Sequence, residues 1–357
     1  MIKLQKGSAT TKPLPEGCSL CALGGKMVLF VTGLCSHHCY YCPLSDQKKN
    51  LDVIYADEMP VKEDKDVIYE AKMISALGTG ITGGDPLIKL DRTLRYINLL
   101  KDEFGEKHHI HLYTVTGSKD AFKKLKEAGL DDLRIHVPEI YWTRLKGSGY
   151  ANILMNAVNA ELNVGIEVPV IPHKEKELLT LIKVAESLNV KFINLNELEF
   201  SDTNWQSMKL LNFETKSYIS TAVKDSETTA LKVLKESDTD MIVHYCSAAF
   251  KDGIQMKNRL KRRAKNVAKE YEVITSDSTL LRGEIYTDNP EKLALRLIKR
   301  YDVPKTLIEI RSDKIYIAPW ILEKIAKYLD EQCYITEVYP TWDQLEVEKI
   351  NIKTEKL

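Results

Sequence analysis

No stretch of this chain stays apolar for the roughly 20 residues that cross a bilayer. Its opening, MIKLQKGSATTKPLPEGC, lacks the apolar core of a secretion signal. Both absences argue against a membrane or exported protein, and the expected location is the cytoplasm. Net charge is missing too: 51 basic and 51 acidic residues cancel. No whole-chain field therefore draws in nucleic acid or an anionic membrane, and any basic surface must be local. There is no internal repeat and no low-complexity tract. What remains is 357 residues, 44% hydrophobic, enough for one large domain and a smaller one.

Seven cysteines in a cytoplasmic chain are not a disulfide framework, because that compartment keeps thiols reduced. Six of them fall in three short segments: Cys18 with Cys21, then Cys35, Cys39 and Cys42, then Cys246. Such clustering points to metal ligation or redox chemistry. Cys333, near the end of an apolar helical pattern, reads as core.

From about residue 26 to residue 200, short β-rich runs alternate with helical patterns. The first run is Lys26–Thr32 and the last Lys191–Phe200, with helices such as Leu90–Phe104 and Lys119–Ala128 between them. Strands joined by crossover-length helices make a parallel sheet. Six such units are too few for a closed eightfold barrel, so the expected fold is α/β, an open partial (βα)6 TIM-like barrel with its site at the carboxyl ends of the strands. Residues 214–236 read as helical and 251–272 as a basic helix. The tail has the order β-α-β-β-α-β of a ferredoxin-like α+β domain. The expected division is an N-terminal arm with the cysteine pair (1–25), the barrel (26–250), a basic helix linker (251–275) and the accessory domain (276–357).

Residues 33–44, GLCSHHCYYCPL, place Cys35, Cys39 and Cys42 in C-x3-C-x2-C spacing directly after the first strand. Three thiolates on one loop can hold three irons of a [4Fe-4S] cluster and leave the fourth open to a small molecule. Tyr41 is placed to lie against whatever binds there. A zinc knuckle is the alternative, but zinc sites usually take four ligands in paired spacings. After the second strand comes Thr82-Gly83-Gly84-Asp85-Pro86, where glycines let backbone approach a ligand.

The cysteine run and the glycine turn together resemble the radical S-adenosylmethionine (radical SAM) superfamily, with Asp85 where that family usually carries glutamate. The resemblance implies that S-adenosylmethionine chelates the open iron and is reductively cleaved to a 5′-deoxyadenosyl radical, the protein positioning and shielding cofactor chemistry. Over residues 17–260 the chain resembles archaeal proteins related to pyruvate formate-lyase activating enzyme. Its N-terminal cysteine pair also resembles that of an archaeal radical methyltransferase. On this reading Tyr41, Gly83, Gly84, Asp85, Pro86, Thr114, Val168 and Asn194 are candidate cofactor contacts. Gly84→Val should then weaken S-adenosylmethionine binding without loss of iron.

Further candidates stand on the residues alone. Glu197 and Glu199 share one face of a strand and are candidate catalytic groups if that face lines the barrel; otherwise they are surface charges. Cys18 and Cys21 supply half of a tetrahedral site that Cys246 and His244 could complete with zinc or iron. A redox pair is less expected, since such pairs usually open a helix and this one precedes a strand. In the basic helix, Arg259, Arg262 and Arg263 form a stripe that could grip RNA phosphates, or a solvated face; Leu260, Ala264, Val267 and Ala268 would dock it on the barrel. Two functions follow: a radical SAM enzyme acting on a macromolecule, RNA or protein, fed by an electron donor such as ferredoxin or flavodoxin; or a non-catalytic iron–sulfur or zinc RNA-binding module.

Overall fold

The protein is described here by a computed structural model covering residues 1–353, and the chain forms two compact units. The first comprises Met1–Lys72 and Ala76–Met256; the second comprises Met73–Ser75 and Lys257 onward.

In the first unit, β1 (Ile2–Lys3) and β2 (Ala9–Thr10) precede the short helix α1 (Glu16–Ala22). Then come β3 (Lys26–Phe30), the two-residue strands β4 (Tyr55–Ala56) and β5 (Met59–Pro60), and α2 (Asp64–Met73). The βα alternation follows: β6 (Gly78–Thr82), α3 (Leu90–Phe104), β7 (His109–Thr114), α4 (Lys119–Glu127), β8 (Asp132–Ile135), α5 (Gly149–Asn159), β9 (Asn163–Val170), α6 (Glu175–Ser187) and β10 (Phe192–Glu197). Local chemistry sets these ends. Ser118 and Ser148 cap α4 and α5 by accepting from Ala121 N and Tyr150 N, and Gly129, at φ 92°, takes the left-handed turn after α4.

The six strands β3 and β6 to β10 are parallel neighbours in order, as expected of a partial barrel. A seventh parallel strand, β13 (Ile242–Cys246), pairs with β10, and β2 covers its free edge antiparallel. Between β10 and β13 lie α7 (Trp205–Leu210), the hairpin β11 (Thr215–Ser217) and β12 (Ser220–Val223), and α8 (Ser226–Glu236). The region read as one helix over 214–236 is therefore a hairpin followed by a helix. After β13, the single turn α9 (Ala248–Phe250) runs into a π-helical segment, Lys251–Met256.

Alternation along the strands divides the side chains. Leu112, Leu133, Ile166, Ile193, Leu195 and Val243 are fully buried in the apolar layer beneath the helices. The opposite face carries His109, His111, Arg134, Glu167, Asn194, Asn196 and His244, a polar interior.

The second unit begins with α10 (Lys257–Val267) and β14 (Val273–Ile274). It continues as β15 (Leu280–Tyr286), α11 (Pro290–Tyr301), β16 (Ile308–Ile310), β17 (Lys314–Ile317), α12 (Pro319–Ile325), β18 (Gln332–Val338) and β19 (Glu346–Asn351). The sheet order β16-β17-β15-β18 with antiparallel pairing is the ferredoxin-like arrangement, extended by β19. The apolar helical pattern expected to reach almost to Cys333 is helix α12 only to Ile325, followed by a 3-10 turn at Ala326–Tyr328. Pairing of Gln332 and Cys333 with Tyr286 and Ile285 claims those residues for β18, so Cys333 is a buried strand residue. The basic helix is no linker: α10 belongs to this unit, where Ala264, Val267 and Ala268 pack on Leu280 and Val338.

Candidate functional site

The chain leaves β3 into the loop carrying Cys35, Cys39 and Cys42, and that loop is pinned at its base. Gly33 N donates to Leu51 O (2.8 Å) and Asn50 N to Gly33 O (2.9 Å). Thr32 Oγ1 donates to Asp52 (2.9 Å), which Arg92 grips with two bonds of 2.6 and 3.1 Å. These hold the Asp52 carboxyl below the usual carboxylate range, Arg92 first.

The glycine turn after β6 locks the loop from the side. Gly84 N donates to Thr32 O and Asp85 N to Leu34 O, both 2.7 Å. A Cβ at Gly83 would stand 2.4 Å from Thr32 O, and one at Gly84 2.3 Å from Leu34 O. These glycines are needed because two backbones touch there. The expectation that a side chain at Gly84 would spare iron binding is therefore corrected: it would displace the cysteine loop itself. Asp85 is wholly buried and spends its carboxylate inside the protein, accepting from Leu87 N, Thr114 Oγ1 (2.8 Å) and Thr116 Oγ1 (2.7 Å). Asp85 and Thr114 thus stiffen the turn. Pro86, buried, opens the short 3-10 turn that Asp85 caps.

All three loop thiols are free and half-buried. Burial raises the Cys35 and Cys39 thiols, and neighbouring loop cysteines raise them further. A cationic cluster core would reverse that shift in Cys35 and Cys39, and three free, half-buried thiols on one loop are a donor set that fits a [4Fe-4S] group. Among the described residues no three His, Cys, Asp or Glu side chains converge as on a single ion. Thiols serving separate irons of a cubane stand farther apart than that.

Tyr41 faces His136 at the end of β8. The imidazole Nδ1 lies 3.0 Å from Glu167 O, a group that can only accept, so Nδ1 carries the proton and Nε2 accepts from Tyr41 Oη (2.9 Å). Cys39 Sγ is 3.9 Å from the same Nε2. Burial lowers His136 and raises Tyr41, so both stay neutral.

Deeper in the barrel is a network that the sequence reading missed. Glu167 accepts from Arg134 (3.1 Å), Asn194 (3.0 Å) and Asn196 (2.9 Å). Arg134 also reaches Tyr113 Oη (3.1 Å) and Cys18 Sγ (3.4 Å). Asn194, proposed as a cofactor contact, is enclosed here between Glu167, Cys18 and His244. The available signal was a charged residue in each of two apolar strands, Arg134 and Glu167. Val168, one residue on, turns the other way and is 1% exposed in the apolar layer, which corrects its reading as a cofactor contact.

Glu197 and Glu199 do not share a cavity. Interior positions on β10 are Asn194 and Asn196, so Glu197 faces outward; it accepts from Ala248 N (2.8 Å) and lies 3.7 Å from Lys216 Nζ. Beyond the strand's end Glu199 pairs with Lys251 of the π-helical segment. Burial and the Glu199 charge raise the neighbouring Asp252.

Cys18 and Cys21 lie on α1, not in an extended arm. Burial pushes the Cys18 thiol up to about 11 and Cys246 to about 12, and lowers His244 to about 3. Cys18 is engaged by Arg134 and Asn194, while Cys246 receives Gln255 Nε2 at 3.6 Å. Among the described residues the expected four-ligand set does not close on one point.

In the second unit the arginine stripe is structural. Arg262 donates to the carbonyls of Ile74 (3.0 Å) and Ser75, and buried Arg263 to Pro340 O. Arg259 is half-buried and also engaged. Within the basic run of residues 257–269, Lys261, Lys265 and Lys269 are exposed.

The radical SAM superfamily pattern matches residues 29–183, and a domain of unknown function (DUF8061) matches 278–352. A Methanocaldococcus jannaschii protein, provisionally named a glycyl-radical enzyme activating enzyme, is 44% identical over 96% of this chain and 94% of its own. Among solved structures, HydG, a maturase of [FeFe]-hydrogenase, is 14% identical with TM-score 0.42, covering 65% of this chain and 56% of its own. Methylornithine synthase is 13% identical with TM-score 0.42, covering 62% and 70%. The chain thus spans about half the length of HydG. No helix among the described residues is long and apolar enough to cross a membrane. An end-to-end relative at this identity, together with the superfamily pattern over the cysteine loop and the barrel strands, establishes that the chain belongs to the radical SAM superfamily and is a radical SAM enzyme.

Proposed function

We propose that this enzyme is an activating enzyme whose substrate is a protein. Cys35, Cys39 and Cys42 would hold the cluster, which when bound supplies the electron that breaks a sulfur–carbon bond of S-adenosylmethionine. The chain's own part is mechanical and electrostatic. The paired backbones at Thr32–Leu34 and Gly84–Asp85 fix the loop against the ends of β3 and β6. Tyr41 and His136 present neutral faces beside Cys39, and the Arg134–Glu167 network occupies the barrel below. A low-potential one-electron carrier such as ferredoxin or flavodoxin would act as donor.

The observation favouring a protein substrate is the near full-length similarity to a protein of that provisional name. The RNA reading loses support because its arginine stripe is engaged inside the protein: Arg262 and Arg263 donate to backbone carbonyls of their own unit, and Arg259 also has a partner. The test is to reconstitute the enzyme anaerobically and add S-adenosylmethionine, dithionite and fractions of a source-cell extract. Stimulation of S-adenosylmethionine cleavage that protease abolishes and ribonuclease leaves intact supports the reading; the reverse sensitivity contradicts it.

A further inference from the structure

The segment between β10 and α8 does more than connect them. Its buried Asn204 donates through Nδ2 to Tyr41 O (3.1 Å) and to Glu199 O (3.0 Å), while its Oδ1 accepts from Ser201 N (2.8 Å). One turn on, Ser207 Oγ donates to Tyr40 O (2.7 Å). Phe213 stacks on Tyr40 with rings 9° from parallel and 6.2 Å apart, and Met208 lies in the same apolar cluster as Tyr40 and Tyr41. Of the three peptide carbonyls that link Cys39 to Cys42, Cys39 O accepts from Cys42 N (3.1 Å) within the loop, and the other two, Tyr40 O and Tyr41 O, are held from outside the loop by side chains far away in sequence.

We infer that Asn204 and Ser207 are positioning residues for the cluster: they fix the peptide planes between two of its ligands and so set the electrostatics felt by the bound group. A trans peptide is rigid, so holding its oxygen toward the clamp holds the N–H in the opposite direction. Cluster potentials respond to dipoles and hydrogen bonds around the sulfurs. Released, the negative carbonyl ends can turn toward the thiolates and disfavour the reduced, more negative cluster. The bonds that Asn204 makes to Tyr41 and Glu199 also join the cluster loop to the strand exit whose side chain pairs with Lys251.

The test uses the reconstituted holoenzyme. Asn204→Asp keeps shape and acceptor and removes both donated bonds, but its buried charge lowers the potential by itself, so this variant is judged on thiol reactivity and the potential is judged on the Ser207 pair; Ser207→Ala removes one bond and Ser207→Thr restores a hydroxyl. The expected result is a lower cluster midpoint potential and altered g-values in the reduced state for Ser207→Ala, with Ser207→Thr returning toward the parent. In the metal-free proteins, Cys39 and Cys42 should react faster with a thiol reagent in the first two variants. If Asn204→Asp fails to fold, the Ser207 pair decides alone. Unchanged potential, g-values and thiol reactivity in Ser207→Ala, or equal changes in Ser207→Ala and Ser207→Thr, overturn the inference.

Discussion

Gly84→Ala adds one methyl group at the junction of the glycine turn and the cysteine loop. Its Cβ would sit 2.3 Å from Leu34 O, 2.6 Å from Leu34 C and 2.7 Å from Gly33 O. Ordinary contact begins near 3.4 Å, so the two backbones must part by about 1.1 Å, and no flexible side-chain end is there to yield. The 2.7 Å bonds from Gly84 N to Thr32 O and from Asp85 N to Leu34 O stretch beyond useful range. Two net hydrogen bonds at about 1 kcal/mol each plus overpacking strain of about 1–3 kcal/mol give a local cost of about 3–5 kcal/mol. Since Leu34 precedes Cys35, that cost falls on the cysteine loop. Anaerobic reconstitution of Gly84→Ala should give well under the parent's iron per chain and weak visible absorption, while far-ultraviolet dichroism stays close to the parent. Parent-level iron with an unchanged spectrum would refute the reasoning.

Other consequences are equally direct. Burial lowers Lys26 from 10.5 to about 7; the unfolded chain keeps that proton up to pH 10.5 and the folded protein does not. Unfolding therefore takes up a proton between pH 7 and 10.5, and this residue makes stability rise with pH by at most about 1.4 kcal/mol per unit. Urea unfolding at pH 7 and pH 9 should show that component in the parent and not in Lys26→Met; identical slopes would argue against it. Arg263→Ala should destabilise the second unit by about 2–3 kcal/mol, because it strips a charged donor from Pro340 O. Lys261→Gln should stay within about 0.5 kcal/mol, and calorimetry that ranks them the other way would contradict the packing. Cys18→Ala with Cys21→Ala should leave bound metal at the parent level, since Cys18 is held by Arg134 and Asn194; a lost metal equivalent would restore the second site.

Much of this was legible in the sequence because each level agreed. Leu90–Phe104 and Pro290–Tyr301 carry helical periodicity with clean ends, and the structure returns the same bounds. The cysteine spacing and the glycine turn were local signals and needed no tertiary knowledge. What failed depended on partners distant in the chain. Alternation shows that Glu197 and Glu199 share a parity but not which parity faces inward; Asn194 and Asn196 settle it by bonding Glu167. The arginines of α10 read as free because their carbonyl partners lie at Ile74, Ser75 and Pro340. Asn204 offered no signal at all, since its role exists only once the chain brings it to Tyr41.

The most direct test is chemical. Anaerobically reconstituted enzyme, reduced with dithionite in the presence of S-adenosylmethionine, should release 5′-deoxyadenosine detectable by chromatography. The variant with Cys35, Cys39 and Cys42 all changed to alanine should release none and lose the broad absorption near ~400 nm expected of iron–thiolate centres. Absence of 5′-deoxyadenosine from parent protein carrying four irons, or its undiminished release by the triple variant, would contradict the account.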